Sequence, residues 1–146
     1  MIMSRIKLNM PGAFFYSTEV RVRITDINYG NHVGNDAFVG IIHEARMQWL
    51  KENGFTELDI NGTGLIMSDL AVEFKQESFY GDTILVRLGV ADAGRVNFDL
   101  YYELSVTRNN ETILLANAKT AMVAYDYTAK KVAMLPAELK KMLKLV

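Results

Sequence analysis

Hydrophobic and polar positions along this chain follow two periods, and the switch between them lays out the elements. From Phe14 to Ile24, residues Tyr16, Val20, Val22 and Ile24 share one parity, while Ser17, Glu19, Arg21 and Arg23 share the other. A period of two sets these groups on opposite faces of a strand with one wet face. From Asn35 to Asn53 the period becomes helical: Phe38, Ile41, Ile42, Ala45 and Trp49 fall on one buried stripe. Val39, Met47 and Leu50 widen that apolar surface, so something large must wrap it. Asn35 or Asp36 is placed to cap the start, and Gly54 follows the end, where a left-handed residue is expected.

Beyond Gly62-Thr63-Gly64 the chain reads mostly as strand. Leu70, Val72 and Phe74 alternate with Ala71, Glu73 and Lys75 ahead of a turn at Tyr80-Gly81-Asp82. Ile84, Val86, Leu88 and Val90 form the next strand, closed by Asp92-Ala93-Gly94. Val96, Phe98, Leu100, Tyr102, Leu104 and Val106 alternate without a break up to a turn at Arg108-Asn109-Asn110-Glu111. The last strand, about Ile113 to Tyr125, carries small and apolar residues on both parities, as a strand covered on both sides does. Pro136 then opens a short basic helix, Ala137 to Lys144. Short connections force antiparallel neighbours. The fold class is therefore α+β: a curled antiparallel sheet of five or so strands wrapped around one long central helix. No repeat or linker divides the chain, so residues 1–146 are read as one domain.

Composition narrows the chemistry. The chain has no cysteine, which excludes disulfides, zinc–thiolate sites and a Cys nucleophile. Sixteen basic against 17 acidic residues leave a formal charge of −1, with no electrostatic grip for nucleic acid or an anionic membrane. No stretch approaches the roughly 20 apolar residues that span a bilayer. The opening Met1 to Lys7 alternates charged and apolar residues without a leader-like apolar run, so a cytoplasmic protein is expected. Two histidines without a carboxylate cluster give no expectation of a metal, and no cofactor is indicated.

The order of elements, with the strongest polar cluster just before the helix, resembles the hotdog layout, specifically the acyl-CoA thioesterases of the 4-hydroxybenzoyl-CoA thioesterase branch. Asp26-Ile27-Asn28-Tyr29-Gly30-Asn31-His32-Val33-Gly34-Asn35 is similar to that branch's loop before the helix. Glu44-Ala45-Arg46 matches its Glu-x-Ala-Arg stretch, and Tyr80-Gly81-Asp82 its Gly-Asp turn. Val123 to Asp126 and Leu135 to Leu139 resemble its closing strand and final helix start. The resemblance implies an acyl-CoA or acyl-carrier thioester as substrate. It also implies a homodimer or homotetramer with the acyl site between subunits. One departure stands out: counted back from His32, the family's usual catalytic aspartate falls on Asn28, while Asp26 matches a second, less directly involved aspartate. An amide is neither base nor nucleophile at neutral pH, but it can orient water or hold a carbonyl.

Thioester hydrolysis needs a positioned water, a proton acceptor and donors for the oxyanion. The first N–H groups of a helix are unpaired, and its dipole favours negative charge there. The N–H of Asn35, with Gly34, is the expected oxyanion contact. Gly30 and Gly34 lack a Cβ and would let an acyl-pantetheine arm past Tyr29 close to the backbone. His32 or Asp26 is the expected base, with Asn28 orienting water or thioester; histidine, with an ordinary pKa of about 6.5, suits the task, whereas an aspartate needs burial or a partner. Structural roles compete at each position: Asx turns for Asp26 and Asn28, a loop tie for His32 and capping for Asp36. Packing or exposure competes for His43, ion pairs with strand charges for Glu44 and Arg46, and core for Phe38 and Trp49.

Two other functions use the same layout. (R)-specific enoyl-CoA hydratases carry a similar Asp-x-Asn-Pro-x-His element, one residue shorter, in which Asp and His act together. A non-catalytic acyl-CoA or acyl-carrier binding protein would account for Asn28. Lys75, Arg87, Arg95 and Lys119 are candidates for the CoA phosphates, and Met47, Trp49, Met67, Phe74 and Tyr102 for the lining of the acyl site.

Overall fold

The computed structural model describes residues 5–145; Met1 to Ser4, part of the stretch inspected for a leader, lie outside the described residues. Strand β1 (Tyr16–Arg21) leads through a 3-10 turn (Ile24–Asp26) to helix α1 (Asn35–Glu52). Strands β2 (Gly64–Phe74), β3 (Thr83–Ala91), β4 (Asn97–Arg108) and β5 (Glu111–Asp126) follow, then a two-residue β6 (Lys131–Val132) and helix α2 (Ala137–Met142). Neighbours in the sheet run β1-β3-β4-β5-β2, all antiparallel, with β6 paired to the end of β5. This is the expected hotdog arrangement, with β6 as an element the sequence pattern did not reveal.

Local chemistry explains the turns. Asn109 and Asn110 both take positive φ (52° and 65°), the backbone a two-residue hairpin loop needs between twisted strands. Gly54 closes α1 at φ 81°. The first strand is shorter than its alternation: Ile24, expected on the apolar face, enters the 3-10 turn and is exposed. Backbone bonding within that turn takes the place of ladder pairing, so parity no longer decides where a side chain points.

Ile41, Ile42, Ala45, Trp49 and Leu50 of α1 join one core with Ile84, Val86 and Leu88 of β3 and Phe98, Leu100, Tyr102 and Leu104 of β4. Each large side chain so buried contributes about 1.5–3 kcal/mol. The even-numbered residues of β5 from Ala116 to Met122 complete the inward face. A buried polar set crosses this core. Arg46 of α1 donates through Nε to Glu57 at 3.0 Å and through Nη1 to the Tyr102 hydroxyl at 3.0 Å. Tyr102 lies 2.7 Å from Thr120 Oγ1. His43 Nε2 also meets Glu57, at 2.6 Å. The ion pair expected for Arg46 thus forms with Glu57, whereas Glu44 accepts a hydrogen bond from Gln48 along the helix instead of a strand charge. Glu57 wins because the loop after α1 folds back beneath the helix.

The segment before β1 lies across the other face of the sheet. Leu8 N–H reaches the Glu73 carboxylate of β2 at 3.4 Å, and Arg87 of β3 sits over the Phe14 ring at 4.1 Å. Gly89 is where this segment comes closest: a Cβ there would stand 2.6 Å from Pro11 Cγ and 2.9 Å from the Ala13 carbonyl oxygen.

Candidate active site

The loop between the 3-10 turn and α1 is closed by its own backbone. Ile27 bridges to Val33, Asn28 N–H donates to His32 O at 2.9 Å, and Asn31 N–H donates to Asn28 O at 3.1 Å. Asn31 sits at φ 66°, a left-handed conformation asparagine tolerates. Val33 N–H docks the loop onto Ser78 O at 2.8 Å, and Gly34 N–H donates to Asp26 O at 3.0 Å. Helix α1 then starts at Asn35. Its N-cap is Gly34, in extended conformation and with no side chain bonded to the free N–H groups. The cap expected from Asn35 or Asp36 is not made, because both residues are already inside the helix.

Asn28 is held by an Asx turn: its Oδ1 accepts the Gly30 N–H at 2.9 Å. That bond fixes the carboxamide, so Nδ2 turns toward the helix start, 3.7 Å from where a Cβ on Gly34 would stand. The His32 ring lies over Gly30, with Nε2 3.1 Å from the place a Cβ would occupy. His32 Nδ1 is 3.2 Å from Val33 O. A carbonyl can only accept, so Nδ1 carries the proton in the neutral ring and Nε2 keeps its lone pair. Glu77 Oε1 lies 3.9 Å from that nitrogen. The two glycines therefore make room for protein atoms, Gly30 for His32 and Asn28 and Gly34 for Asp36 and Asn28.

Asp26 has a different setting. Its buried carboxylate turns back on its own 3-10 turn, accepting Arg23 N–H at 2.8 Å, with the guanidinium at 3.5 Å. It borders a hollow between β1 and the Ala37–Gln48 side of α1, whereas His32 borders another. The structure gathers Asn28, Gly30 and His32 beside the helix start at Gly34 and Asn35 and turns the Asp26 carboxylate toward the other hollow; His32 and Asn35 line the His32 hollow, whereas Asn28, Gly30 and Gly34 do not. Among the described residues no hydrogen bond joins the Asp26 carboxylate to His32, as the Asp–His partnership of a hydratase would need. Tyr29 is fully exposed at the loop tip and lines neither hollow.

The hollow at His32 has a volume of about 500 Å³ and is bordered by Asn35, Phe38, Phe74 and Phe79 as well as Lys75, Gln76, Glu77 and Arg108. Phe38 and Phe74 meet edge to face at 5.4 Å. Of the expected lining residues Phe74 is here; Trp49 and Tyr102 are buried in the core, and Met47 borders the Asp26 hollow. Of the four expected phosphate contacts only Lys75 borders this hollow. Arg87 pairs with Glu103, and Lys119 with Asp69 and Asp99. From the sequence Arg108 is legible only as a turn residue. It borders the hollow and is paired with Asp82, with Nη2 2.6 Å from Asp82 Oδ2. Burial works to raise the Asp82 carboxyl, but the hydrogen bonds from Arg108, Phe79 N–H and Ser78 outweigh it and hold the group below the usual carboxylate range. The Gly-Asp turn was the one legible signal; its partner, 26 residues on, was not.

A long helix wrapped by an antiparallel sheet in the order β1-β3-β4-β5-β2 is the hotdog class of fold, and sequence comparison gives the family. The chain belongs to the thioesterase-like superfamily, whose family model matches residues 22–143. The enzyme class expected from the sequence, a thioester hydrolase, is the one this membership carries. A 1,4-dihydroxy-2-naphthoyl-CoA hydrolase of Synechocystis sp. is 29% identical over 128 residues, 86% of this chain and 90% of that protein. The crystal structure of a 1,4-dihydroxy-2-naphthoyl-CoA thioesterase from Synechocystis matches with a TM-score of 0.78 at 25% identity, covering 88% of this chain and 95% of that one. A 4-hydroxybenzoyl-CoA thioesterase mutant complexed with 4-hydroxybenzoyl-CoA shares the fold, with a TM-score of 0.76 at 16% identity over 88% of this chain and 97% of that one.

Proposed function

We propose that this protein hydrolyses an aromatic acyl-CoA thioester in the hollow at His32. The observation that carries this reading is that His32, Asn35 at the uncapped start of α1 and three phenyl rings border one space. The relatives named for aryl-CoA hydrolysis support the choice of acyl group. A hollow of this size falls within the range of small-ligand sites, and phenyl rings favour an aromatic guest through edge-to-face contact.

In this mechanism water attacks the thioester carbonyl carbon while His32 Nε2 takes its proton. The carbonyl electrons move onto oxygen, which accepts the Asn35 N–H; one such donor is worth about 3 kcal/mol in the transition state. Collapse expels the CoA sulfur, which recovers the proton from His32, leaving a carboxylic acid and free CoA thiol. Asn28 Nδ2 orients the carbonyl or the water. This assigns Asp26 to shaping the loop and gives no carboxylate a nucleophilic role. The active species is taken as a homodimer or homotetramer, since β2 offers one unpaired edge of the sheet.

Thiol release across benzoyl-, 2-hydroxybenzoyl-, hexanoyl- and palmitoyl-CoA tests the substrate class, with the aryl thioesters expected to give the highest kcat/KM. His32→Ala is expected to lower kcat by about 10²–10⁴ with secondary structure retained. A loss under threefold would remove His32 from the chemistry. Crotonyl-CoA separates the rivals, because hydration yields no thiol and a non-catalytic binder yields neither product. Sedimentation of a monomer at assay concentration would exclude an intersubunit site.

A further inference from the structure

We infer that Arg108 is the anion-recognising residue of this site, fixed in advance to receive a negatively charged or phenolic oxygen of the substrate; the inference rests on the hollow at His32 being the acyl site. Arg108 ends β4 and borders the same hollow as His32. Its position is set from several sides. Nη2 donates to Asp82 Oδ2 at 2.6 Å and to Glu77 O at 3.1 Å, and the guanidinium lies over the Phe79 ring at 5.1 Å. Asp82 is itself held by Ser78 Oγ at 2.8 Å and Phe79 N–H at 2.9 Å, both on the same Oδ2. One nitrogen of Arg108, Nη2, makes both of its bonds to Asp82 and Glu77. The N–H groups on Nε and Nη1 have no protein acceptor among the described residues. Arg108 is thus a planar donor set with its orientation already decided, which lowers the entropy lost when a ligand oxygen binds.

Lys75 stands on the same rim, its ammonium shared with Glu73 at 2.9 Å, and the facing carboxylate, Glu77, is largely exposed to solvent. Two sources can supply the oxygen: a phosphate of CoA, or an acidic or phenolic oxygen on the acyl group itself. Both make the same charge-assisted hydrogen bond, and substitution separates them.

Arg108→Gln and Arg108→Lys are compared with the unmodified enzyme in three measurements: the Kd of free CoA by calorimetry, and the KM of benzoyl-CoA and of 2-hydroxybenzoyl-CoA. The lysine variant keeps a single-point pair with Asp82 and removes the planar fork, so thermal unfolding reports on the structural part. Loss of a charge-assisted contact raises the affected constant about tenfold to a hundredfold. A rise in CoA Kd with an equal rise in both KM values assigns the contact to a phosphate. A rise confined to 2-hydroxybenzoyl-CoA assigns it to the acyl oxygen. No change in any of the three, or a fall in kcat and melting temperature alike for every substrate, overturns the proposal. If neither aryl thioester is hydrolysed by the unmodified enzyme, the aromatic reading fails, while the CoA titration still decides the role of Arg108.

Discussion

Tyr102→Phe removes one oxygen from the most polar point of the core, and its cost follows from the partners. Arg46 is a donor only, so Nη1 must donate to the phenol oxygen; the Tyr102 and Thr120 hydroxyls share a second hydrogen bond at 2.7 Å, in which either can donate. Tyr102 and Thr120 are fully buried, and Arg46 is 5% exposed. The substitution therefore removes a charge-assisted hydrogen bond, typically about 1.5–3 kcal/mol, and strands a guanidinium N–H and a hydroxyl away from water. Glu57 still holds Nε, which keeps the guanidinium partly compensated. The expected loss is about 3 kcal/mol. Urea unfolding followed by circular dichroism, at fixed protomer concentration, measures it; the melting temperature should fall by roughly 6–12 °C. Arg46→Met combined with Tyr102→Phe should cost less than the sum of the two single changes, because the stranded group leaves with its partner. A loss below about 1 kcal/mol for Tyr102→Phe, or simple additivity, would refute the view that this set acts as one unit fixing how α1 sits in the sheet.

Other expectations concern the loop and the rim. Asn28→Asp places a carboxylate beside His32 and the start of α1; it should shift the acid limb of the kcat/KM profile upward, as a nearby anion favours imidazolium. An unchanged profile would show that the two side chains do not communicate. Asp82 has a folded pKa below its unfolded value, so its contribution to stability is whole above about pH 4 and is lost as pH falls through the folded value. Asp82→Asn should accordingly be less stable than the unmodified protein near pH 7, with the gap closing in acid denaturation. Gly89→Ala forces a Cβ against the Ala13 carbonyl and should cost about 1–3 kcal/mol or lift the segment before β1, which limited proteolysis would detect as faster cleavage near Pro11.

How far the sequence could be read depended on how local each determinant was. The strands, the long helix and the Asn109-Asn110 turn were legible because periodicity and left-handed propensity act over a few residues. The β1 boundary and the helix cap were misread where local hydrogen bonds competed: Asp26 bonded back to Arg23, and Gly34 took the cap position without a side chain. The loop was found because its polar residues cluster before an apolar helix, but the cluster alone made Asp26 and His32 equal candidates. Docking of Val33 on Ser78, a contact across 45 residues, decided which side chain borders which hollow.

The alternation of the strands and the stripe of the helix thus determined by themselves that this chain would wrap a sheet around a rod, because burying both apolar surfaces leaves few other solutions. Which donors and acceptors would meet was left to the tertiary structure. Arg108 met Asp82, and Arg46 met Glu57 and Tyr102, through strand register and loop closure, and these join residues that no spacing rule connects.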